Sequence, residues 1–143
     1  MLSLAGAPGA VAAKKGKPAE APARAGKPVF VASNCRNSAF EPPTILLACG
    51  NAAASLDAIA WQSWTARGAH GPAIYSYKNC PGLPPAACQT YDSPAAIVSL
   101  FRPRFCTTAR KNHFTRIHID APTAAEPNNR SLTLTSPCRL VRG

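Results

Sequence analysis

Residues 131–135 read Ser-Leu-Thr-Leu-Thr, and this alternation predicts the fold class. Successive side chains of an extended strand point to opposite faces, so Leu132 and Leu134 share one face and the hydroxyl side chains share the other. This is the pattern of a strand with one buried face. Other short segments with strand character are bounded by proline, glycine or asparagine. The predicted strands are residues 29–32, 45–49, 55–64, 73–78, 97–101, 114–119 and 132–135.

Helices are not expected. No segment sustains the 3.6-residue apolar period of an amphipathic helix, and the chain has 15 prolines, which shorten any helix. We therefore expect an all-β domain over residues 29–143, built as a small sandwich or barrel of six to eight short antiparallel strands. A chain of this length suits one small domain rather than two.

Six scattered cysteines indicate an oxidising compartment. Their spacing matches no zinc or redox motif, and an even count in a small chain is typical of a disulfide framework in a secreted protein. Sequence proximity favours the bonds Cys35–Cys49, Cys80–Cys88 and Cys106–Cys138. Six cysteines allow about fifteen connectivities, so crossed patterns stay open at this point.

The N-terminal region is predicted to lie outside the folded domain. Residues 1–13 read MLSLAGAPGAVAA, which we interpret as the remnant of a signal peptide with its basic end missing; the alternative is a disordered tail. Residues 14–28 carry five cations against Glu20 and no aromatic or β-branched residue, so we expect a disordered linker. This linker is either a solvated spacer or an electrostatic tether to anionic cell-wall polymer, lipid headgroups or nucleic acid. No later stretch approaches the roughly 20 apolar residues of a membrane span.

One region is similar to a known group of proteins. Residues 43–51 read PTILLACGN, residues 59–64 read IAWQSW, and an Asn79-Cys80 pair precedes a proline-rich loop closed by Cys88. This order resembles a family of small exported actinobacterial proteins with the pattern P-x-x-I-x-L-x-C-G/A-D-x-N, then L-x-W-x-x-W, then C-x-P-x-C-A. The resemblance implies export but no activity, and Asn51 stands where the family often has an acid.

Aromatic residues form a first candidate binding site. Trp61 and Trp64 are three positions apart, so on one strand they would point to opposite faces, one into the core and one outward. An outward tryptophan beside Tyr75 and Tyr77 could stack on a sugar ring or anchor a protein partner. The alternative is that these rings only supply buried area around a disulfide.

Charged residues near the C-terminal third form a second candidate site. If residues 110–120 are a strand, Phe114, Arg116, His118 and Asp120 share one face. Asp120 could orient His118 as a general base, and Arg116 could stabilise a phosphate or an oxyanion. With His70 as a second titratable group, these side chains would suit a small basic hydrolase, ribonuclease-like or glycan-directed. The alternative is a solvated polar face.

Two functional hypotheses follow. The preferred one is a secreted, non-enzymatic β domain that binds an anionic cell-envelope polymer or a protein partner at the envelope or outside the cell. The net charge of +10 favours an anionic partner, although nucleic acid is not the expected one. The other is the hydrolase, so enzymatic activity is left open. No metal or cofactor is expected, because the histidines lack metal-ligand spacing and the cysteines are committed to disulfides.

Overall fold

The structure is a computed structural model that describes residues 20–35, 37–48, 53–124 and 129–134. It is all-β, as predicted, and the described residues contain a single 3₁₀ turn at Pro85–Ala87 in place of any α-helix. None of these residues form a helix of the length and apolar character that crossing a membrane requires. The strands are β1 (Glu20–Pro22), β2 (Val29–Ala32), β3 (Ser38–Ala39), β4 (Ile45–Leu46), β5 (Ala54–Asp57), β6 (Ser63–Trp64), β7 (Gly68–Lys78), β8 (Tyr91–Asp92), β9 (Ala95–Cys106), β10 (Lys111–Asp120) and β11 (Asn129–Thr133).

These strands form one 11-stranded sheet in the order β3-β2-β10-β9-β7-β5-β4, rather than the six to eight strands expected. The excess arises because three strands, of 11, 12 and 10 residues, are long enough to pair with different short strands along one edge. Strand β10 pairs with β2 near its start and with β11 near its end. Strand β7 pairs in the same way with β6 and then with β5.

One pair of strands is parallel, which corrects the prediction of a purely antiparallel sheet. Strand β1 pairs with β9 and β2 pairs with β10, on the two outer edges of the β9–β10 hairpin. Residues 23–28 cross from one edge to the other without reversing direction. Because β1 is antiparallel to β9, and β9 is antiparallel to β10, β2 must then run parallel to β10.

The sheet curls around one core. Alternate residues of β9 face inward, with Val98 and Leu100 fully buried, while Ile97 and Phe101 face outward. The backbone N–H of Leu46 in β4 donates to the carbonyl of Ser33 at 2.7 Å, just after β2, and brings the two ends of the sheet together. The core consists of Val29, Val31, Ile45, Leu56, Ile59, Ala69, Ala73, Tyr75, Tyr77, Ala96, Val98, Leu100, Phe114, Ile117, Ile119, Ala121 and Leu134.

The alternation around residue 132 is confirmed. Leu134 belongs to the core and Leu132 packs against it, while Ser131 and Thr133 are exposed. Strand β11 itself ends at Thr133, and residue 135 lies outside the described part of the chain.

The domain begins earlier than predicted. The sheet starts at Glu20 rather than Val29, because Glu20–Pro22 pair with β9 inside the segment expected to be linker. Composition correctly indicated that these side chains bury little, but the backbone can still be held by strand pairing. Residues 1–13, the predicted signal remnant, and residues 14–19 lie outside the described residues.

Disulfide bonds staple the domain. Cys80 and Cys88 are bonded as predicted, with 5.6 Å between their Cα atoms, and they close the loop between β7 and β8. Cys35 and Cys106 are also disulfide-bonded. Cys49 and Cys138 lie outside the described residues, so the bonds Cys35–Cys49 and Cys106–Cys138 remain predictions.

Candidate functional site

A cleft opens where residues 23–28 cross the start of the β9–β10 hairpin. Its volume is about 690 Å³, within the range of ligand-binding pockets. One wall is the crossing segment and the other is the hairpin with its turn at residues 107–110. The residues that line the cleft are Arg24, Lys27, Pro28, Phe30, Phe105, Thr107, Arg110, Lys111 and Asn112.

Asn112 fixes the crossing segment over the cleft. Its side chain is buried, and its Oδ1 accepts a hydrogen bond from the Arg24 N–H at 2.9 Å. Its Nδ2 donates to the Arg24 carbonyl at 2.8 Å and to the Lys27 carbonyl at 3.4 Å. The amide therefore replaces a neighbouring strand for a segment that has left the sheet, and it satisfies backbone groups that would otherwise lack partners.

Two cations are held on aromatic rings. The guanidinium carbon of Arg24 lies 3.8 Å from the ring centre of Phe105, and Nζ of Lys111 lies 5.0 Å from that of Phe30. Such cation–π contacts restrict long side chains at little cost in solvation. They hold both charges at the cleft, although the side chains of Arg24 and Lys111 are exposed.

The hairpin turn supplies a further cation. Arg110 has a φ of 58°, in the left-handed region that few residues other than glycine adopt, and its N–H donates to the Cys106 carbonyl at 2.7 Å. This conformation closes the four-residue turn and places Arg110 beside Lys111 at the cleft. A strained backbone at a lining residue is common at binding sites.

The lining is strongly electropositive. It contains Arg24, Lys27, Arg110 and Lys111 and no acidic residue. Glu20 on β1 pairs with Cys106 on β9, and Glu20 does not line the cleft. The whole chain carries 16 lysines and arginines against six acidic residues, so its field adds to the attraction of the cleft for anions.

His113 follows Asn112 on β10, and its surroundings favour the neutral form of the imidazole. The imidazole is fully buried, with Nε2 2.6 Å from Ser38 Oγ and Nδ1 3.3 Å from the Lys111 carbonyl. Burial lowers the pKa of His113 below its ordinary value of 6.5; the Lys111 carbonyl opposes this shift and the Lys111 charge adds to it. Since a carbonyl can only accept, Nδ1 carries the proton and Nε2 accepts from the Ser38 hydroxyl.

The predicted aromatic platform is not formed on the surface. Tyr75 and Tyr77 are only 2% and 5% exposed, and they pack against each other within the core at 4.9 Å between ring centres. Neither ring can present a face to a sugar. Both residues belong to the inward-facing set of β7, together with Ala69 and Ala73.

Trp61 and Trp64 do not point to opposite faces. Their rings meet edge to face at 4.8 Å, and both pack against the core, because Trp61 precedes β6 and strand alternation does not apply to it. Their indole nitrogens donate to the Pro42 carbonyl at 2.8 Å and to the Val29 carbonyl at 3.0 Å. The geometry fits the packing role left open above, since both indole N–H groups serve the fold.

The titratable residues of the second candidate site, His70, His118 and Asp120, all lie on the outer face of the sheet. His118 on β10 lies opposite Ser99 on β9, and Ser99 lies opposite His70 on β7, so the three form one row across neighbouring strands. With strands about 4.8 Å apart, the two histidine Cα atoms are about 10 Å apart. Arg116 and Asp120 flank His118 along β10. Phe114 is not on this face, contrary to the prediction, because it belongs to the core.

This row is not built as a pocket. Neither His70 nor His118 lines the cleft, and no hydrogen bond joins His118 to Asp120 in the described part of the chain. Asp120 lines a separate, mostly apolar hollow of about 430 Å³. Within the described residues, no three His, Cys, Asp or Glu side chains are grouped so that they could hold a metal ion.

Sequence reasoning missed the cleft. The sequence predicts that Arg24 and Lys27 belong to a linker and that Arg110 and Lys111 begin a polar strand. It does not indicate that these four residues line one cleft. Comparison with known proteins adds no assignment, because no family model, curated protein or solved structure matches the chain. The resemblance to small exported actinobacterial proteins therefore stays a prediction.

Proposed function

We propose that this protein is a secreted, non-enzymatic domain that binds an anionic polymer of the cell envelope in the cleft between residues 23–28 and the β9–β10 hairpin. The observation that carries the proposal is the lining of four cations without an acid, two of them held on aromatic rings. The disulfide-bonded cysteines are compatible with export to an oxidising compartment.

Binding suits this cleft better than catalysis. General acid–base catalysis needs a group whose pKa lies near the working pH. The lining side chains offer lysine, arginine, threonine and an asparagine amide, and the amide of Asn112 is already engaged. His113, which follows Asn112 on β10, is buried with both ring nitrogens hydrogen-bonded.

Co-sedimentation with isolated cell envelopes tests the proposal. We expect the wild-type protein to sediment with envelopes at low salt and to be released as salt screens the contacts. The double variant Arg24→Gln, Lys111→Gln should lose at least about tenfold in affinity, because each change removes a charge-assisted contact. The matched control Arg67→Gln, Arg102→Gln removes two exposed charges outside the cleft and should change affinity less than about twofold.

Equal loss in the cleft variant and the control would show that net charge, not the cleft, drives association. Retention of full binding by both would reject the site. Circular dichroism of each variant checks that the fold is retained, which is expected because the altered side chains lie at the surface.

The row on the outer face supports a second candidate, the small basic hydrolase. His70 and His118 flank Ser99, with Arg116 and Asp120 alongside, so two general acid–base groups share one face. Release of product from RNA or from a glycan by the purified protein, abolished by His118→Ala and unaffected by Arg67→Gln, would establish this activity. Equal turnover by His118→Ala and wild type would reject His118 as the general acid–base group.

A further inference from the structure

We infer that the polymer bound in the cleft is a polyol phosphate, a chain of small alcohol units joined by phosphodiester groups. This inference rests on the anion-binding function proposed above and adds the chemistry of the ligand. Three properties of the lining carry it: where the charges lie, which ring faces are covered, and which hydrogen-bonding groups are left to a ligand.

The charges lie on both walls. Arg24 and Lys27 come from the crossing segment, and Arg110 and Lys111 from the hairpin. A cleft of about 690 Å³ exceeds what one phosphate ion needs, so a single anion would leave cations unpaired. A chain with charges repeated along its own backbone can pair with both walls at once. Arginine binds phosphate oxygens through its fork of donors, and lysine binds them as a point charge.

Each of the two aromatic rings that line the cleft, Phe30 and Phe105, carries a cation on one face. Phe105 is 7% exposed with Arg24 on its face, and the half-buried Phe30 carries Lys111. Binding of single-stranded nucleic acid depends on aromatic faces on which bases stack. Pro28 also lines the cleft, and its ring suits the C–H groups of short spacers. A ligand without bases therefore fits better than an oligonucleotide.

The side chains leave mostly donors to a ligand. The four cations only donate, and the carbonyls of Arg24 and Lys27 already accept from Asn112. The main chain of an acidic polypeptide would bring further amide N–H donors among these cations, and an unsatisfied donor is costly. A polyol phosphate carries its charges and acceptors in the main chain, and its hydroxyl groups can turn to solvent.

Calorimetric titration with three oligomers of equal charge number tests the inference. We expect a glycerol phosphate oligomer to bind about tenfold more tightly than oligothymidylate or oligoglutamate, the factor expected for one group left unsatisfied. Arg24→Gln and Lys111→Gln should each weaken glycerol phosphate binding about tenfold, and Arg67→Gln less than about twofold.

Every other result of the titration contradicts either the inferred ligand, the inferred site or the proposed function. Equal affinity for the three oligomers would reject the polyol phosphate and leave the proposed anion binding intact. Tightest binding of oligothymidylate would assign the cleft to nucleic acid. Equal weakening by Arg67→Gln would reject the cleft as the site, and no binding of any oligomer would reject both the ligand and the proposed function.

Discussion

Asn112 holds Arg24 by two hydrogen bonds between one side chain and one backbone. Oδ1 accepts from the Arg24 N–H at 2.9 Å and Nδ2 donates to the Arg24 carbonyl at 2.8 Å, across a sequence separation of 88 residues. The pair joins the N-terminal segment to the hairpin at the cleft, so the position of the Arg24 charge depends on an uncharged residue.

Replacement of Asn112 should therefore affect both stability and binding. Asn112→Ala leaves the N–H and carbonyl of Arg24 without their buried partner, and we expect the free energy of unfolding to fall by about 2–3 kcal/mol in urea denaturation. Affinity for the anionic oligomer should fall with it. The control Asn37→Ala, at an exposed position, should stay within about 0.5 kcal/mol of wild type. Similar losses in the two variants would contradict a special role for Asn112.

Buried His113 predicts that the protein loses stability in mild acid. Its pKa is lowered chiefly by burial; the hydrogen bond to the Lys111 carbonyl raises it, and the Lys111 charge lowers it further. As the pH falls through 6.5, the unfolded chain takes up a proton at this residue before the folded chain does. The free energy of unfolding should then decrease by up to about 1.4 kcal/mol per pH unit until the lower folded-state pKa is reached.

Urea denaturation at a series of pH values measures this effect. The variant His113→Gln should show a flatter dependence between neutral and mildly acidic pH. An unchanged slope would assign the acid sensitivity to other groups, and a stability that rises as the pH falls through 6.5 would reverse the inferred direction.

The bond between Cys80 and Cys88 should stabilise the domain by restricting the unfolded chain. It closes a loop with a sequence separation of 8, for which the chain-entropy model gives about 2.5 kcal/mol. The double variant Cys80→Ala, Cys88→Ala should lose about this amount in thermal or urea denaturation while the β7–β8 pairing persists in hydrogen exchange. The double variant is preferable to a reductant, which would also reduce the bonds of Cys35 and Cys106. No loss of stability would contradict the expected stabilisation by this bond.

Gly71 is predicted to be the least replaceable glycine described. A Cβ atom there would collide with the carbonyl oxygen of Ala60, whose own N–H is tied to the Pro72 carbonyl at 2.9 Å, so the backbone cannot simply move aside. We expect Gly71→Ala to cost about 3 kcal/mol or more in denaturation experiments. Gly82→Ala is the comparison, because Gly82 has a φ of 83° with open space around it and should cost only about 1 kcal/mol of backbone strain. A smaller loss for Gly71→Ala than for Gly82→Ala would contradict the contact.

Much of the fold was predictable because it follows local patterns. Strand β2 has the predicted bounds, the Leu132 and Leu134 face is buried, and the Cys80–Cys88 bond spans a short loop. Alternation and loop length are properties of a few neighbouring residues, so one sequence is enough to recognise them.

The incorrect predictions concern properties that strand alternation does not determine. A period of two shows that Tyr75 and Tyr77 share a face, but it does not show whether that face or the one with Ile74 and Ser76 turns inward. The cleft could not be predicted from the sequence for another reason. It depends on the side chain of Asn112, which hydrogen-bonds to the backbone 88 residues earlier. Composition alone classified that backbone as solvated linker.

The parallel pairing of β2 with β10 has a consequence for how the protein folds. Val29 lies opposite Asn112, so this pair closes a loop of more than half of the chain, and contacts of such long range are slow to form. The two walls of the cleft meet only when that loop closes. A partly folded chain can carry all four cations and still lack the cleft, so ligand affinity should appear only after that loop has closed.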